Sequence, residues 1–207
     1  MTTNKTNYST SITKRLLDLL LTIPGLIVIS PVLIIVSLIV YAEDRGPVFF
    51  RQNRVGLNGK SFKMFKFRTM IVDAEKYGGQ LTVGRDPRIT RVGYWLRKFK
   101  LDELPQLFNV VTGEMSLVGP RPEVIRYVEL YNDEQRQVLK LKPGITDLAS
   151  IKYSNENDIL ANSADPDKTY IEQIMPEKIA INLDYATSAS LIADFLVILK
   201  TIAKIFK

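Results

Sequence analysis

The 207-residue sequence contains neither cysteine nor histidine. Those two absences exclude disulfides, thiolate nucleophiles, Cys/His zinc sites and imidazole acid–base catalysis. Any chemistry must rest on carboxylates, hydroxyls, lysines and arginines, with a hard cation such as magnesium as the natural helper. Acidic residues are in the minority: 22 Asp and Glu against 28 Lys and Arg leave a formal charge of +6. That excess points to an anionic partner, whether nucleic acid, phosphorylated small molecule or acidic lipid surface. No internal repeat or low-complexity tract is present, and the length suits one sizeable core with an appendage.

Charge itself is missing from one stretch. The 24 residues between Asp18 and Glu43 carry none, a length and composition that read as a membrane helix. No small-residue cleavage site follows, so a secretory signal fits poorly. Ser30-Pro31 lies in the middle of the run, and proline there removes a backbone donor and bends or breaks a helix. The serine hydroxyl can deepen the bend by bonding a nearby carbonyl. Each arm would be about 15 Å long, half the hydrocarbon thickness. Lys14 and Arg15 precede the run, and Arg45, Arg51, Arg54 and Lys60 follow it. Positive charge on both flanks suits a segment that enters and leaves from one face. The expectation is a re-entrant helix over residues 14–42, broken at Ser30-Pro31, after an N-terminal tail of residues 1–13.

Residues 45–72 hold seven basic and no acidic residues. VFFRQNRV and SFKMFKFRTM flank Gly56, Asn58 and Gly59, which predicts a β-hairpin. Its Lys63, Lys66 and Arg68 need not share a face; as a cluster they could bind pyrophosphate. The spacing next predicts a short helix around Thr90–Phe99, with Tyr94, Trp95 and Phe99 on a side packed in the core. Aromatics committed to a core leave no open stacking platform, which argues against nucleic acid. Leu117–Pro122 (LVGPRP) brackets Arg121 with two prolines, excludes regular helix, and holds a guanidinium rigidly enough for phosphate. A helix is predicted over Glu123–Leu141, polar loop with short helical pieces over 152–178, and a basic amphipathic helix over Ser190–Phe206. Its Leu191, Phe195, Ile198, Ile202 and Ile205 stripe suits either a membrane interface or the core.

Asp102-Glu103 follows a basic segment, lies between Leu101 and Leu104, and just precedes Pro105, a residue favoured in a first helical turn. Carboxylates so placed are held ionised. Consecutive helical residues point about 100° apart, so the two acids are not duplicates. One can act as a nucleophile and the other as a metal ligand or base.

SFKMFKFRTM, VGRDPRITRVGYWLRKFKLDELPQ and GEMSLVGPRPE, with the proline-broken segment, closely resemble the bacterial sugar transferases called monotopic phosphoglycosyl transferases. The resemblance is dense from Lys14 to Gly144. It implies an α+β protein: a membrane re-entrant helical hairpin and a small, mainly helical cytoplasmic domain (residues 43–207) with a short β-hairpin. It implies an inner-membrane enzyme with its globular part on the cytoplasmic face. Asp102 would attack the β-phosphate of a UDP-sugar, releasing UMP, and polyprenyl phosphate would then collect the phosphosugar. The product would initiate a cell-surface glycoconjugate. Glu103 would help bind the required Mg²⁺. Lys66, Arg68, Arg97 and Arg121, with Pro120 and Pro122, would contact phosphate or nucleotide, and Asp184 would be a further acidic position. After Gly144 the chain departs from the common family pattern, reading Thr146-Asp147-Leu148-Ala149-Ser150 where many members carry Thr-Gly-Trp-Ala-Gln. A non-catalytic binding protein on the same fold is the rival reading. Partners are then the UDP-sugar, polyprenyl phosphate and membrane lipids, without nucleic acid; the sequence does not set the oligomeric state.

Overall fold

The computed structural model describes residues 8–78, 82–84 and 86–205. Most of the N-terminal tail, residues 79–81, Arg85, Phe206 and Lys207 lie outside the described residues. The fold is α+β. Its first element, α1 (Ile12–Asp44), starts where the Ser11 side chain accepts the Lys14 N–H and stops at Arg45, which is left-handed. Ser30-Pro31 does not divide α1 into two helices: the helix continues through both Pro24 and Pro31. Pro31 has no N–H to offer the Ile27 carbonyl, and the Ser30 hydroxyl donates to that carbonyl instead at 2.8 Å. The serine thus supplies the bond that proline removes.

Both ends of α1 are fastened to the same globular body. At the start, Lys14 pairs with Asp194, Arg15 donates to the Val111 carbonyl at 2.8 Å, and Asp18 accepts from Ser116 and Leu117 at 3.0 Å each. At the finish, Val36 and Val40 pack on Phe67 and Leu96, and Asp44 takes the Arg68 guanidinium. Between Thr22 and Val36 no side chain is buried. A polar or small residue faces the body near each root, and apolar residues face outward.

The predicted hairpin forms: β1 (Phe49–Val55) runs antiparallel to β2 (Ser61–Phe67), with Phe49 opposite Phe67. Asn58 and Gly59 both take positive φ, the geometry an Asn-Gly turn supplies cheaply. Helix α2 (Arg91–Lys98) begins on Thr90, whose hydroxyl accepts the Gly93 N–H at 2.9 Å. Leu96 points inward, but Tyr94, Trp95 and Phe99 are all about half exposed, contrary to the expected core packing. They form a surface cluster, Trp95 stacked on Phe99 with Lys98 over both rings. The spacing of an apolar face does not say whether protein or another apolar medium covers it.

Helix α3 (Gln106–Thr112) leads to β3 (Ser116–Val118), which pairs parallel with β4 (Gly144–Thr146). The helix expected over Glu123–Leu141 is instead two pieces: α4 (Ile125–Val128) and a 3₁₀ turn at Gln135–Lys140. Asn132 and Gln135 exchange side-chain-to-backbone bonds of 2.9 and 3.0 Å, a reciprocal cap that starts a new turn and ends the old one. Short helices α5 (Leu148–Lys152), α6 (Glu156–Ala161) and α7 (Pro166–Thr169) follow. The region read as loop becomes continuous helix earlier than expected, through a π-turn at Tyr170–Ile174 into α8 (Met175–Ser188). Pro176 lacks the N–H that a regular helix would use there. In α9 (Leu191–Ile205), Asp194 and Val197 are buried, whereas Leu191, Phe195 and Ile202 face outward. Asp194 collects Lys14, Tyr8 at 2.9 Å and Tyr185, tying α9 to the root of α1.

Candidate active site

The acid pair sits on a turn that Lys100 creates. Lys100 adopts φ 56°, a left-handed conformation that reverses the chain between α2 and a 3₁₀ turn at Leu101–Glu103. Non-glycine residues take this conformation at a cost, commonly near functional sites. From Leu101 onward the backbone winds right-handed into α3, with Leu104 bonding back to Leu101 at 3.2 Å and Leu107 to Leu104 at 3.1 Å. Asp102 and Gln106, four residues apart on this path, fall on the same side.

The two carboxylates have opposite surroundings. Glu103 is fully engaged: both guanidinium nitrogens of Arg121 donate to it, and Lys66 Nζ approaches at 3.2 Å. Asp102 is only 7% exposed, and its Oδ1 has no hydrogen-bond partner among the described residues. Gln106, 1% exposed, likewise has an unpartnered Nε2. The electrostatics follow. Burial, and then the Glu103 charge, push Asp102 above the ordinary carboxylate range against Lys66, Arg97 and Lys100. Burial also opposes ionisation of Glu103, but Arg121 and Lys66 outweigh it and hold that acid well below its usual range. The expectation that both would be stabilised as anions therefore holds for Glu103 and fails for Asp102. The result is a fixed anion beside a more basic carboxylate with a free oxygen, the better nucleophile of the two.

Cations frame this pair. Burial lowers Lys66 to a pKa of about 8 although Glu103 supports its charge. Arg97 reaches the site through its charge on Asp102, while its nitrogens bond Thr69 at 2.9 Å and Thr82 at 3.2 Å. Arg121 leaves the end of β3 on the Pro120-Arg121-Pro122 loop. Pro120's carbonyl accepts the Gly144 N–H at 3.0 Å, and Pro122's accepts Arg54 at 3.0 Å. The loop can pack this closely because a Cβ on Gly119 would lie 2.3 Å from the Lys142 carbonyl, and one on Gly144 would lie 2.1 Å from the Gly119 nitrogen. Those distances admit only glycine.

Two assigned residues fall elsewhere. Arg68 is not brought to the acid pair; it bonds Asp44, the Pro47 carbonyl at 2.6 Å and the Met70 carbonyl at 3.3 Å, clamping the end of α1 to β2. Asp184 is exposed on α8, and nothing among the described contacts joins it to the carboxylates. Ser30 and Pro31 lie in the exposed middle of α1. Sequence reasoning missed Gln106, and it missed Asp147, which is 1% exposed, caps α5 through Ser150 at 2.8 Å and reinforces the charge on Arg121. Asp147 could have been found, since it stands in the stretch that departs from the common family pattern.

Among the described residues no cluster of three or more acidic side chains could cage a metal. Magnesium is usually held by one or two carboxylates together with substrate phosphates and water. The unpartnered Asp102 oxygen is one donor of that kind; Glu103, whose two oxygens hold Arg121 and Lys66, could be the second only by giving up one of those cations.

The bacterial sugar transferase family matches residues 9–207, and the chain belongs to it. It is 36% identical over 197 residues to a UDP-N-acetylgalactosamine-undecaprenyl-phosphate N-acetylgalactosaminephosphotransferase of Aeromonas hydrophila, covering 93% of this chain and 43% of that protein. It is 37% identical over 206 residues to the exopolysaccharide production protein ExoY of Sinorhizobium fredii, covering 92% and 84%. It is 38% identical over 202 residues to a UDP-glucose:undecaprenyl-phosphate glucose-1-phosphate transferase of Escherichia coli, covering 93% and 40%. The chain thus spans less than half the length of the first and third of these relatives.

Proposed function

We propose that this chain transfers a sugar 1-phosphate from a UDP-sugar to polyprenyl phosphate through a covalent intermediate on Asp102, releasing UMP and starting a cell-surface glycoconjugate. One observation carries the reading: a buried aspartate with a free, unusually basic oxygen stands beside a glutamate already neutralised by Arg121 and Lys66. The relatives' names add the acceptor, undecaprenyl phosphate, and the transfer of a sugar phosphate.

In the first step an Asp102 oxygen forms a bond to the β-phosphorus. The bond from that phosphorus to the bridging oxygen breaks, and its electron pair leaves with UMP. In the second step a phosphate oxygen of the polyprenyl acceptor attacks the same phosphorus, and the Asp102 carboxylate departs unchanged. Lys66, Arg97 and Arg121 outnumber the two carboxylates, so the site keeps positive charge for the diphosphate. Glu103 holds Lys66 and Arg121 at fixed positions rather than reacting. When bound at Asp102, Mg²⁺ would neutralise charge on the diphosphate.

The acceptor's phosphate lies at a membrane surface, and the outward apolar side chains of α1, α2 and α9 supply an anchor there. We read α1 as re-entrant, with the catalytic domain at the cytoplasmic face of the inner membrane. Its two ends are held by one globular body, which a helix with ends on opposite sides of a bilayer would not permit. Cysteines placed at residues 12 and 43 should both be labelled from the cytoplasmic side; labelling from opposite sides would overturn this topology. The activity is tested by UMP release from purified protein with Mg²⁺ and a panel of UDP-sugars, with and without polyprenyl phosphate. Release that needs Asp102 supports the reading, and no release from any donor by folded protein refutes it.

A further inference from the structure

Against the Pro120-Arg121-Pro122 loop, a small half-open cleft lies between the loop and α8. Arg121 lines it as well as holding Glu103, so the cleft adjoins the phosphate-handling site. Val55, Val138, Leu141, Met175 and Ile179 make its walls apolar. Arg121, Glu123, Lys178 and Tyr170 add polar lining, and two further polar residues, Asn182 and Tyr131, stand among the apolar ones. Asn182, 6% exposed, donates its Nδ2 to the Lys178 carbonyl at 3.0 Å, which fixes the amide orientation. Its Oδ1 is then a buried acceptor without a partner among the described residues. Tyr131, 7% exposed, lines the same cleft, and its hydroxyl has no hydrogen bond among the described residues. Buried acceptors are rarely left unpaired in a native protein, and each such case calls for a ligand or other explanation. The cleft also contains Tyr170 of the π-turn, a helix irregularity frequent at functional sites.

Resting on the transferase reading above, we propose that this cleft receives the 2-acetamido group of the donor sugar, so that the enzyme selects N-acetylated UDP-sugars over plain hexoses. Glu123 and Lys178 are already paired, with Tyr170 and Glu156, and an acetamide matches the groups that remain. Its N–H can donate to Asn182 Oδ1, its carbonyl can accept from the Tyr131 hydroxyl, and its methyl meets the apolar walls. A hexose hydroxyl offers a donor to Asn182 but leaves the apolar walls facing a polar group and water. A site built to hydrogen-bond one substituent discriminates strongly against the analogue lacking it. Arg121, shared between cleft and acid pair, would keep the sugar in register with its phosphate.

The test compares kcat/KM for UDP-N-acetylglucosamine and UDP-N-acetylgalactosamine with UDP-glucose and UDP-galactose, using the full chain with Mg²⁺ and polyprenyl phosphate. Wild type should favour an acetamido donor by roughly 10²-fold. Asn182→Leu, close in volume, and Tyr131→Phe should each shrink that ratio by about tenfold or more, chiefly through KM, with the melting temperature recorded for each variant. A preference that both variants leave unmoved overturns the cleft assignment, as does a wild-type preference for hexoses. Equal loss for all four donors, accompanied by weaker product inhibition by UMP, overturns it too, because the cleft would then hold the base. No turnover of any donor by folded wild type overturns the transferase reading itself, and the cleft assignment with it.

Discussion

The pH dependence of Lys66 offers a sharp test of the site's electrostatics. Burial lowers this ammonium from the ordinary lysine value of 10.5 to about 8, with Glu103 opposing the shift. The charged form neutralises Glu103 and an incoming phosphate, so kcat/KM for the UDP-sugar should fall as pH rises through about 8. With a pKa of 8, roughly 90% of Lys66 is charged at pH 7 and roughly 3% at pH 9.5, so a ~30-fold loss is expected over that range. Stability should move the other way. A lysine depressed in the folded state loses its proton there before the unfolded chain does, so between about pH 8 and 10 this group alone makes the fold more stable as pH rises. Activity and stability therefore part company, which separates titration of the site from alkaline unfolding. Lys66→Arg keeps the charge and should flatten the alkaline limb. The assay is UMP release at fixed ionic strength from pH 6.5 to 9.5, with thermal melts in the same buffers. An unchanged limb in Lys66→Arg, or activity and stability falling together in wild type, would refute the reasoning.

Asp102→Asn should lower turnover by on the order of 10³-fold or more. It should also raise the melting temperature, because burial and Glu103 penalise the native anion; substantial residual turnover would contradict the nucleophile assignment. Gly119→Ala places a methyl 2.3 Å from the Lys142 carbonyl, so it should cost roughly 2–3 kcal/mol and release Arg121, read by denaturant melts and kcat/KM. Asp194→Asn strands the buried Lys14 charge and should cost about 3–5 kcal/mol, measured by thermal unfolding in detergent or nanodisc. A loss below about 1 kcal/mol there would mean that Tyr8 and Tyr185 do not depend on the pair.

What could be read in advance divides along physical lines. The apolar run and the Asn-Gly hairpin are local patterns, and both appear as elements in the structure. Asp102 and Glu103 were found through a motif, but their division into a basic and a pinned carboxylate depends on Lys66 and Arg121, which lie far away in sequence. The spacing of Tyr94, Trp95 and Phe99 predicts a core face because amphipathic spacing is the same whether protein or lipid covers it. Glu123–Leu141 has helical composition throughout, yet the Asn132–Gln135 cap divides it. Strands β3 and β4 are three residues each, too short for periodicity to show. Their pairing depends on Gly119 and Gly144 meeting at a distance no side chain allows. Arg68 belonged to a basic cluster by sequence, and the fold separates it from Lys66 by turning it toward Asp44.

The central claim is that Asp102 carries the phosphosugar, and intact-protein and peptide mass spectrometry test it most directly. Purified protein would be incubated with Mg²⁺ and its preferred UDP-sugar, without polyprenyl phosphate, then quenched in acid. The account predicts a sugar-phosphate mass increment on the Asp102 peptide, UMP released in step with it, and loss of the adduct when acceptor is added. UMP appearing only when polyprenyl phosphate is present, with no adduct at any time, would contradict it and make the transfer a single direct displacement.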